Sequence, residues 1–238
     1  MRFDSPLVQA TLKKRYKRFL AEAQLHNGDH VIAHCPNPGR MQGLCSEHTP
    51  IWLEKKAPRK TRQLAWQWQL TETPLSLVGI NTMHANHIVL EALQERKLHP
   101  FQSITHIKRE VTLDAMRVDF ALTTHHGQTL YLEVKSVTMR HTTPHQDATA
   151  LFPDSVSLRA QKHMKTLASY AQRSVPTAVV FLIQREDCNA LRPNDTIDPA
   201  YGLALRHAQQ KGVRLYAYDC AITPQSITLN RSIPVVLT

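Results

Sequence analysis

Asp119, Glu133 and Lys135 are the residues whose types and spacing could do chemistry. Asp119 stands in Arg117-Val118-Asp119-Phe120-Ala121-Leu122, where Val118, Phe120 and Leu122 recur at every second position, the period of a half-buried strand. Glu133 and Lys135 stand in Leu130-Tyr131-Leu132-Glu133-Val134-Lys135-Ser136-Val137, with Leu132 and Val134 pointing to the other face. Two residues along a strand span roughly 6.5–7 Å, so Glu133 and Lys135 are neighbours on one face. A turn around His125–Gln128 would fold the two runs into a hairpin and carry Asp119 onto that face. Paired carboxylates offer an oxygen-rich seat for a hard, octahedral cation, Mg²⁺ or Mn²⁺. Such an ion polarises a phosphoryl oxygen and lowers the pKa of a coordinated water, which permits attack on a phosphodiester at neutral pH. A lysine beside it can orient the water or neutralise charge on the phosphate. The competing reading is a surface ion pair between Glu133 and Lys135 on the wet side of a sheet.

A second group of residues suits a polyanion. Ala10–Ala23 reads as a strand in which Arg15, Tyr16, Lys17, Arg18 and Phe19 interleave cations with aromatic rings. That combination supplies a phosphate-binding groove and stacking faces for a single strand. An edge strand guarded by charge, with Tyr16 and Phe19 in the core, is the alternative. Pro36-Asn37-Pro38-Gly39-Arg40-Met41-Gln42-Gly43 has the turn-formers for close backbone approach, and Arg40 to meet a phosphate. Lys55–Arg62 is a dense basic run of the kind that is usually a solvated loop.

The elements that must position these groups divide in two. Residues 1–82 read as short strands at Ala10–Ala23, His30–Cys35, Pro50–Lys55, Leu64–Leu70 and Leu75–Ile80, separated by Pro, Gly and Asn turns. Five strands of this length fit a small barrel of the OB kind. Near residues 80–84 the period becomes helical. Met83–Arg96 places Ile88, Ala92 and Leu93 on an apolar stripe, with His84, His87 and Glu91 as exposed polar residues on another side. Residues 104–113 read as a strand, then come the two strands of the Asp/Glu/Lys motif and a polar loop over His141–Ala150. Phe152-Pro153-Asp154-Ser155 reads as the start of a helix that continues over Ser157–Gln172. Ala178–Ile183 is a continuous apolar run, the mark of a central buried strand. Pro199–Lys211 reads as a helix closed by Gly212, and Val213–Tyr218 as a strand before a last extended segment. Residues 83–238 thus make a mixed sheet flanked by helices, an α+β or α/β unit behind an all-β one.

Composition narrows the partners. Twenty-nine Lys and Arg against nineteen acids give a net charge of +10 and a pI near 9.7, and residues 1–70 hold +7 of it. Such an excess favours nucleic acid over a small neutral ligand. No apolar run approaches the roughly 18 residues of a membrane span, and the first residues lack the apolar core of a secretory signal. Cys35, Cys45, Cys188 and Cys220 form no C-x-x-C pair, so reduced thiols are expected rather than zinc or a disulfide framework. A cytoplasmic protein is expected.

The order helix, three strands carrying Asp…Glu-x-Lys, helix, strand resembles the core of the PD-(D/E)xK nuclease superfamily. Nearly end to end, the chain resembles the sugar fermentation stimulation protein A family. The resemblance is carried by Arg15-Tyr16-Lys17-Arg18-Phe19, Cys35-Pro36-Asn37-Pro38-Gly39-Arg40-Met41, Asn81-Thr82, Arg117-Val118-Asp119-Phe120, Tyr131–Thr138, Phe152-Pro153-Asp154 and Arg159-Ala160-Gln161-Lys162-His163. It implies an OB-like β-barrel over 1–82, a nuclease-like domain over 83–238, and binding of single- or double-stranded DNA with little sequence preference. By the same resemblance Asp119 and Glu133 hold Mg²⁺ or Mn²⁺, Lys135 orients the water, and Glu91 is the acid of the first core helix. Arg15, Tyr16, Lys17, Arg18, Asn37, Arg40, Arg159, Gln161, Lys162 and His163 are the implied nucleic-acid contacts. No proline precedes Asp119, and Pro38 stands where the family is expected to carry threonine. A noncatalytic DNA-binding regulator of sugar metabolism that keeps the nuclease fold is the alternative.

Overall fold

Alternating small and large apolar residues explain the first unit. The computed structural model describes residues 1–57, 63–114, 116–141 and 148–238. Its first strands are β1 (Leu7–Tyr16), β2 (Leu20–Leu25), β3 (His30–His34), β4 (Pro50–Lys55), β5 (Trp66–Glu72) and β6 (Leu77–Gly79). They pair in the order β3-β2-β1-β4-β5-β6, and a parallel contact of Ala33 with Trp66 and His34 with Gln67 joins β3 to β5. That contact closes β1–β5 into an OB-like barrel. Ala10, Ala21, Ala23 and Ala33 leave room inside for Leu12, Ile51, Leu53 and a fully buried Trp68, the small/large alternation a narrow barrel needs. The Trp68 indole N–H donates to the Leu70 carbonyl at 2.9 Å, so the ring carries no unpaired donor into the core.

The expected single strand over Ala10–Ala23 is a hairpin instead. Lys17 (φ 47°) and Arg18 (φ 63°) take left-handed backbone conformations, and Tyr16 faces Leu20 across the turn. Arg15 Nε donates to the Arg18 carbonyl at 2.9 Å and helps hold that turn. Of the basic run Lys55–Arg62, residues 58–62 lie outside the described residues. Lys56 is engaged with Glu54 at 2.6 Å and Asp4 at 3.0 Å, and Lys55 sits over the Trp66 ring.

The second unit is a six-stranded sheet in the order β15 (Ser226–Ile233), β14 (Arg214–Thr223), β12 (Thr177–Ile183), β9 (Thr129–Val137), β8 (Met116–Thr124), β7 (Ile104–Leu113). Strands β9, β12 and β14 run parallel and the outer pairings are antiparallel. Every residue of β12 is buried, because helices cover both faces. Ala178, Val180 and Leu182 pack beneath α1 (His84–Gln94); Val179, Phe181 and Ile183 pack beneath α2 (Leu158–Gln172) and α3 (Pro199–Gln210). Ser157 caps α2, its hydroxyl accepting the Ala160 N–H at 3.1 Å; Asp198 caps α3, accepting the Tyr201 N–H at 2.9 Å.

A small sheet of β10 (Met139–Arg140), β11 (Thr149–Phe152) and β13 (Ala190–Pro193) was not anticipated. Phe152 therefore ends a strand rather than starting a helix; a cis Phe152–Pro153 peptide follows, and α2 begins only at Leu158. Of the polar loop His141–Ala150, residues 142–147 lie outside the described residues. His84, expected on an exposed helix face, turns inward beside Phe3 and meets Asn81 at 2.9 Å. Burial, then the nearby charges of His87 and Lys56, push its pKa down to about 4.

A buried polar chain joins the two units. The Gln184 side-chain amide donates to the Ser136 hydroxyl at 2.8 Å and the Asn81 carbonyl at 3.1 Å; the Asn81 amide donates to Gln69 at 3.2 Å, and Gln69 donates to Glu54. The four cysteines are free thiols, three of them buried. Among the described residues no helix is long and apolar enough to cross a membrane.

Candidate active site

The site forms where two strands stop pairing. The β8–β9 ladder runs from Thr123 opposite Thr129 to Phe120 opposite Leu132 and ends there. At the next step the Asp119 carboxylate accepts the Val134 N–H at 2.7 Å through Oδ2, a side chain in place of a main-chain partner. On the other edge of β8, Glu110 of β7 interrupts the ladder between Arg109–Phe120 and Val111–Val118 with a φ of 53°. The strand also turns over at this point. Phe120 and Leu122 pack beneath α1, whereas Met116 and Val118 pack beneath α2 and α3. The simple alternation expected over Val118–Leu122 therefore breaks at Asp119, because the strand reverses its faces there. Alternation holds in β9, where Leu132 and Val134 face α1 and leave Glu133 and Lys135 on the α2 side.

Each acid has distinct company. Asp119 Oδ1 accepts the Asn86 amide of α1 at 2.7 Å. Glu133 Oε1 takes both the Lys135 ammonium at 2.5 Å and His163 Nδ1 of α2 at 2.6 Å. Arg159, one turn earlier on α2, sets its Nε 3.5 Å from His163 Nε2 on the other side of the ring. Glu133 Oε2 is buried and has no hydrogen-bond partner among the described residues. Burial would raise the Glu133 pKa, but Lys135 and His163 outweigh it and hold the carboxyl below its ordinary value. Asp119 is pushed the other way, by burial first and then by the charge of Glu133, against the Val134 and Asn86 hydrogen bonds. Two carboxyls driven apart in this manner are a frequent mark of a reactive site.

These groups line a cleft of about 500 Å³ between the barrel and the sheet. Arg18, Asn37, Pro38 and Gly39 form the barrel wall; Asn86, Asp119, Glu133 and Lys135 lie on the sheet side; Asp154, Arg159 and His163 close the α2 side. The walls touch at Gly39, where a Cβ would fall 2.0 Å from the Asp154 carboxylate. Only glycine leaves room for that approach.

The structure thus brings Asp119, Glu133, Lys135, His163, Arg159, Arg18 and Asn37 to one cleft and puts other expected residues to different use. Glu91 lies about 140° round the helix from Asn86 and holds the Met1 ammonium at 2.6 Å, so it does not join the cleft. The Arg15 guanidinium is spent on the carbonyls of Asn37 at 2.8 Å, Gly39 at 2.9 Å and Arg40 at 3.4 Å. It shapes the loop that forms the wall. Asn37 is buried, with its amide on the Ile80 carbonyl and its oxygen on the Gly39 N–H. Tyr16 lies under Lys14, 5.6 Å from ammonium to ring centre, at the end of β1. Lys17 and Arg40 are exposed, as is Lys162. Gln161 turns away to the Asp198 cap at 2.8 Å. Asn86 and Asp154 were missed. An uncharged helix residue carries no signal by type, whereas Asp154 sat in Phe152-Pro153-Asp154 and was read as part of a helix start.

Whether a divalent ion fits can be judged from the donors. Among the described residues no three His, Cys, Asp or Glu side chains cluster as metal ligands. Two carboxylates, one with a buried oxygen lacking any partner, suit a cation that keeps several of its waters. They do not suit a closed zinc cage.

Comparison with known proteins gives concordant matches. A family model described as the sugar fermentation stimulation protein RE domain matches residues 83–226, and one described as the SfsA N-terminal OB domain matches residues 14–80. The chain is 39% identical over 237 residues to the sugar fermentation stimulation protein homolog of Magnetococcus marinus, covering 100% of each. It is 40% identical over 224 residues to that of Gloeobacter violaceus, covering 93% of this chain and 92% of the other. The solved structure of Pyrococcus furiosus SfsA in complex with Ca²⁺ matches 99% of this chain and 98% of its own with a TM-score of 0.87. At 21% identity that last match shows a shared fold.

Proposed function

The chain belongs to the sugar fermentation stimulation protein family, and from that premise we propose that it binds DNA and hydrolyses phosphodiester bonds with Mg²⁺ or Mn²⁺ held by Asp119 and Glu133. The observation that carries the reading is Glu133 Oε2, a buried carboxylate oxygen without a partner, in a cleft shared with a second acid and a lysine. An orphaned acceptor of this kind costs stability that a bound cation would recover, although Lys135 and His163 already favour the ionised carboxyl through Oε1. A bound divalent ion would supply a polarised phosphoryl oxygen and a water of lowered pKa.

The chain's own residues do the rest. Lys135 and His163 both engage Oε1, which fixes the Glu133 rotamer and leaves Oε2 free. Asn86 and the Val134 N–H fix Asp119 in the same way. Lys135, in direct contact with Glu133, is placed to neutralise charge as a phosphate is attacked. Arg18 and Arg159, on opposite walls, are placed to draw the phosphate backbone into the cleft.

Labelled single- and double-stranded DNA incubated with the protein in Mg²⁺, in Mn²⁺ and in EDTA tests the reading. Metal-dependent cleavage that disappears in Asp119→Ala and Glu133→Gln is expected. Cleavage that persists equally in Asp119→Ala refutes this site. DNA binding without cleavage under any metal condition leaves a regulator that retains the fold.

A further inference from the structure

The hairpin tip on the barrel wall carries a feature that hydrolysis does not use. Phe19, 46% exposed, follows the Lys17–Arg18 turn and stacks on His34 of β3. The ring centres lie 6.5 Å apart with planes only 18° from parallel. His34 faces away from the barrel core, into which its neighbour Ala33 points, and Phe19 sits in the turn just before β2, so barrel packing does not account for this pair. Ile32, 43% exposed, extends the apolar strip outward along β3. Arg18, adjacent to Phe19 in the chain, already lines the cleft that holds Asp119 and Glu133.

We propose that Phe19 and His34 form a stacking platform for an unpaired base of a single-stranded polynucleotide, whose phosphates pass Lys17 and Arg18 on the way to the cleft. This rests on the DNA-binding reading above and adds the substrate class. Three observations favour one strand over two. A planar aromatic surface flanked by cations is the combination that holds single strands, since every unpaired base offers a face. In a duplex those faces are already stacked on one another. The cleft beyond Arg18, about 500 Å³, has the size of a small-ligand pocket, and its walls meet where Gly39 touches Asp154. A single strand is the slimmer guest for a cleft of that volume.

Fluorescence anisotropy in EDTA reads binding without cleavage. The probes are a labelled oligo(dT), an abasic oligonucleotide of equal length and charge, and a hairpin duplex. Wild type is expected to bind oligo(dT) more tightly than the abasic strand. Phe19→Ala should weaken oligo(dT) binding about tenfold, within the range measured for one base–aromatic stack, and leave the abasic strand unchanged. Phe19→Trp should restore it. Because Phe19 is half exposed, an unchanged melting temperature in Phe19→Ala separates lost stacking from lost folding. Equal affinity of wild type for oligo(dT) and the abasic strand, or no effect of Phe19→Ala, overturns the platform. If the duplex binds as well as oligo(dT) and neither responds to Phe19→Ala, DNA binding stands and the platform falls. If no probe binds, both fall.

Discussion

Replacing Asp119 separates its structural role from its chemical one. In Asp119→Ala two donors lose their acceptor, the Val134 N–H and the Asn86 amide. Asn86 is partly exposed and can turn to water, so the buried Val134 N–H dominates, at about 1–3 kcal/mol for an orphaned group. The loss is offset in part, because the alanine also removes a carboxyl that burial and Glu133 disfavour in its charged form. A net loss of about 1–2 kcal/mol is expected, which for a chain of this size lowers Tm by roughly 2–8 °C. Asp119→Asn behaves differently. Its oxygen can accept the Val134 N–H, and its NH₂ can donate to Asn86 once that amide flips. It carries no charge, so at neutral pH in EDTA it should melt at or above wild type. The sign follows from the raised pKa. The unfolded aspartate ionises near 3.8 and the folded one only at higher pH. Above the folded pKa the wild type therefore bears a penalty that Asp119→Asn lacks. As pH falls through the raised pKa towards 3.8 that advantage shrinks. Thermal melts followed by circular dichroism at pH 7 and pH 4 measure both effects. Coincident melting of the Ala and Asn variants at pH 7 would refute the claim that this carboxylate stands in for a ladder hydrogen bond.

Glu133→Gln should abolish the rise in Tm that Mn²⁺ gives the wild type, a rise worth about 2.7 kcal/mol at a hundredfold excess over Kd. Its folded pKa is lowered, so its contribution is present above the ordinary value of 4.5 and lost as pH falls through the folded one; an acid titration of stability should lack that step in Glu133→Gln. Arg15→Ala frees carbonyls on the turn and on the 37–40 loop, and Arg15→Lys, without a planar fork, should not rescue it. Faster amide exchange at residues 37–43 together with weakened cleavage is the expected result. Glu91→Gln should leave cleavage unchanged, since that carboxylate holds Met1; a large loss of rate would return Glu91 to the site.

What was legible in the chain follows from how local each feature is. Glu133 and Lys135 could be placed because β9 is regular, and two-residue spacing on a regular strand puts both on one face. Asp119 was legible by type, but not the reversal of faces that presents it, because that coincides with a break in pairing to the neighbouring strand at Glu110. Lys17 and Arg18 concealed a turn, since neither is a residue that ordinarily adopts left-handed backbone. An acid was sought on α1 and Glu91 was the one present, yet the helix turns Asn86 to the cleft. Strands as short as β10, β11 and β13 leave too little periodicity to detect, and their loss hid the place of Asp154. Arg15 illustrates the limit of counting charge, for its guanidinium is consumed by backbone oxygens.

The amide relay from Ser136 through Gln184, Asn81 and Gln69 to Glu54 bears on how the barrel is held against the sheet. One end is a residue lining the cleft and the other is a buried carboxylate on strand β4 of the barrel. Sliding one half past the other would strand several of these polar groups away from water together, which opposes shear even though Gln184 Oε1 has no partner among the described residues. The relay thus ties the barrel to the sheet domain at the edge of the cleft.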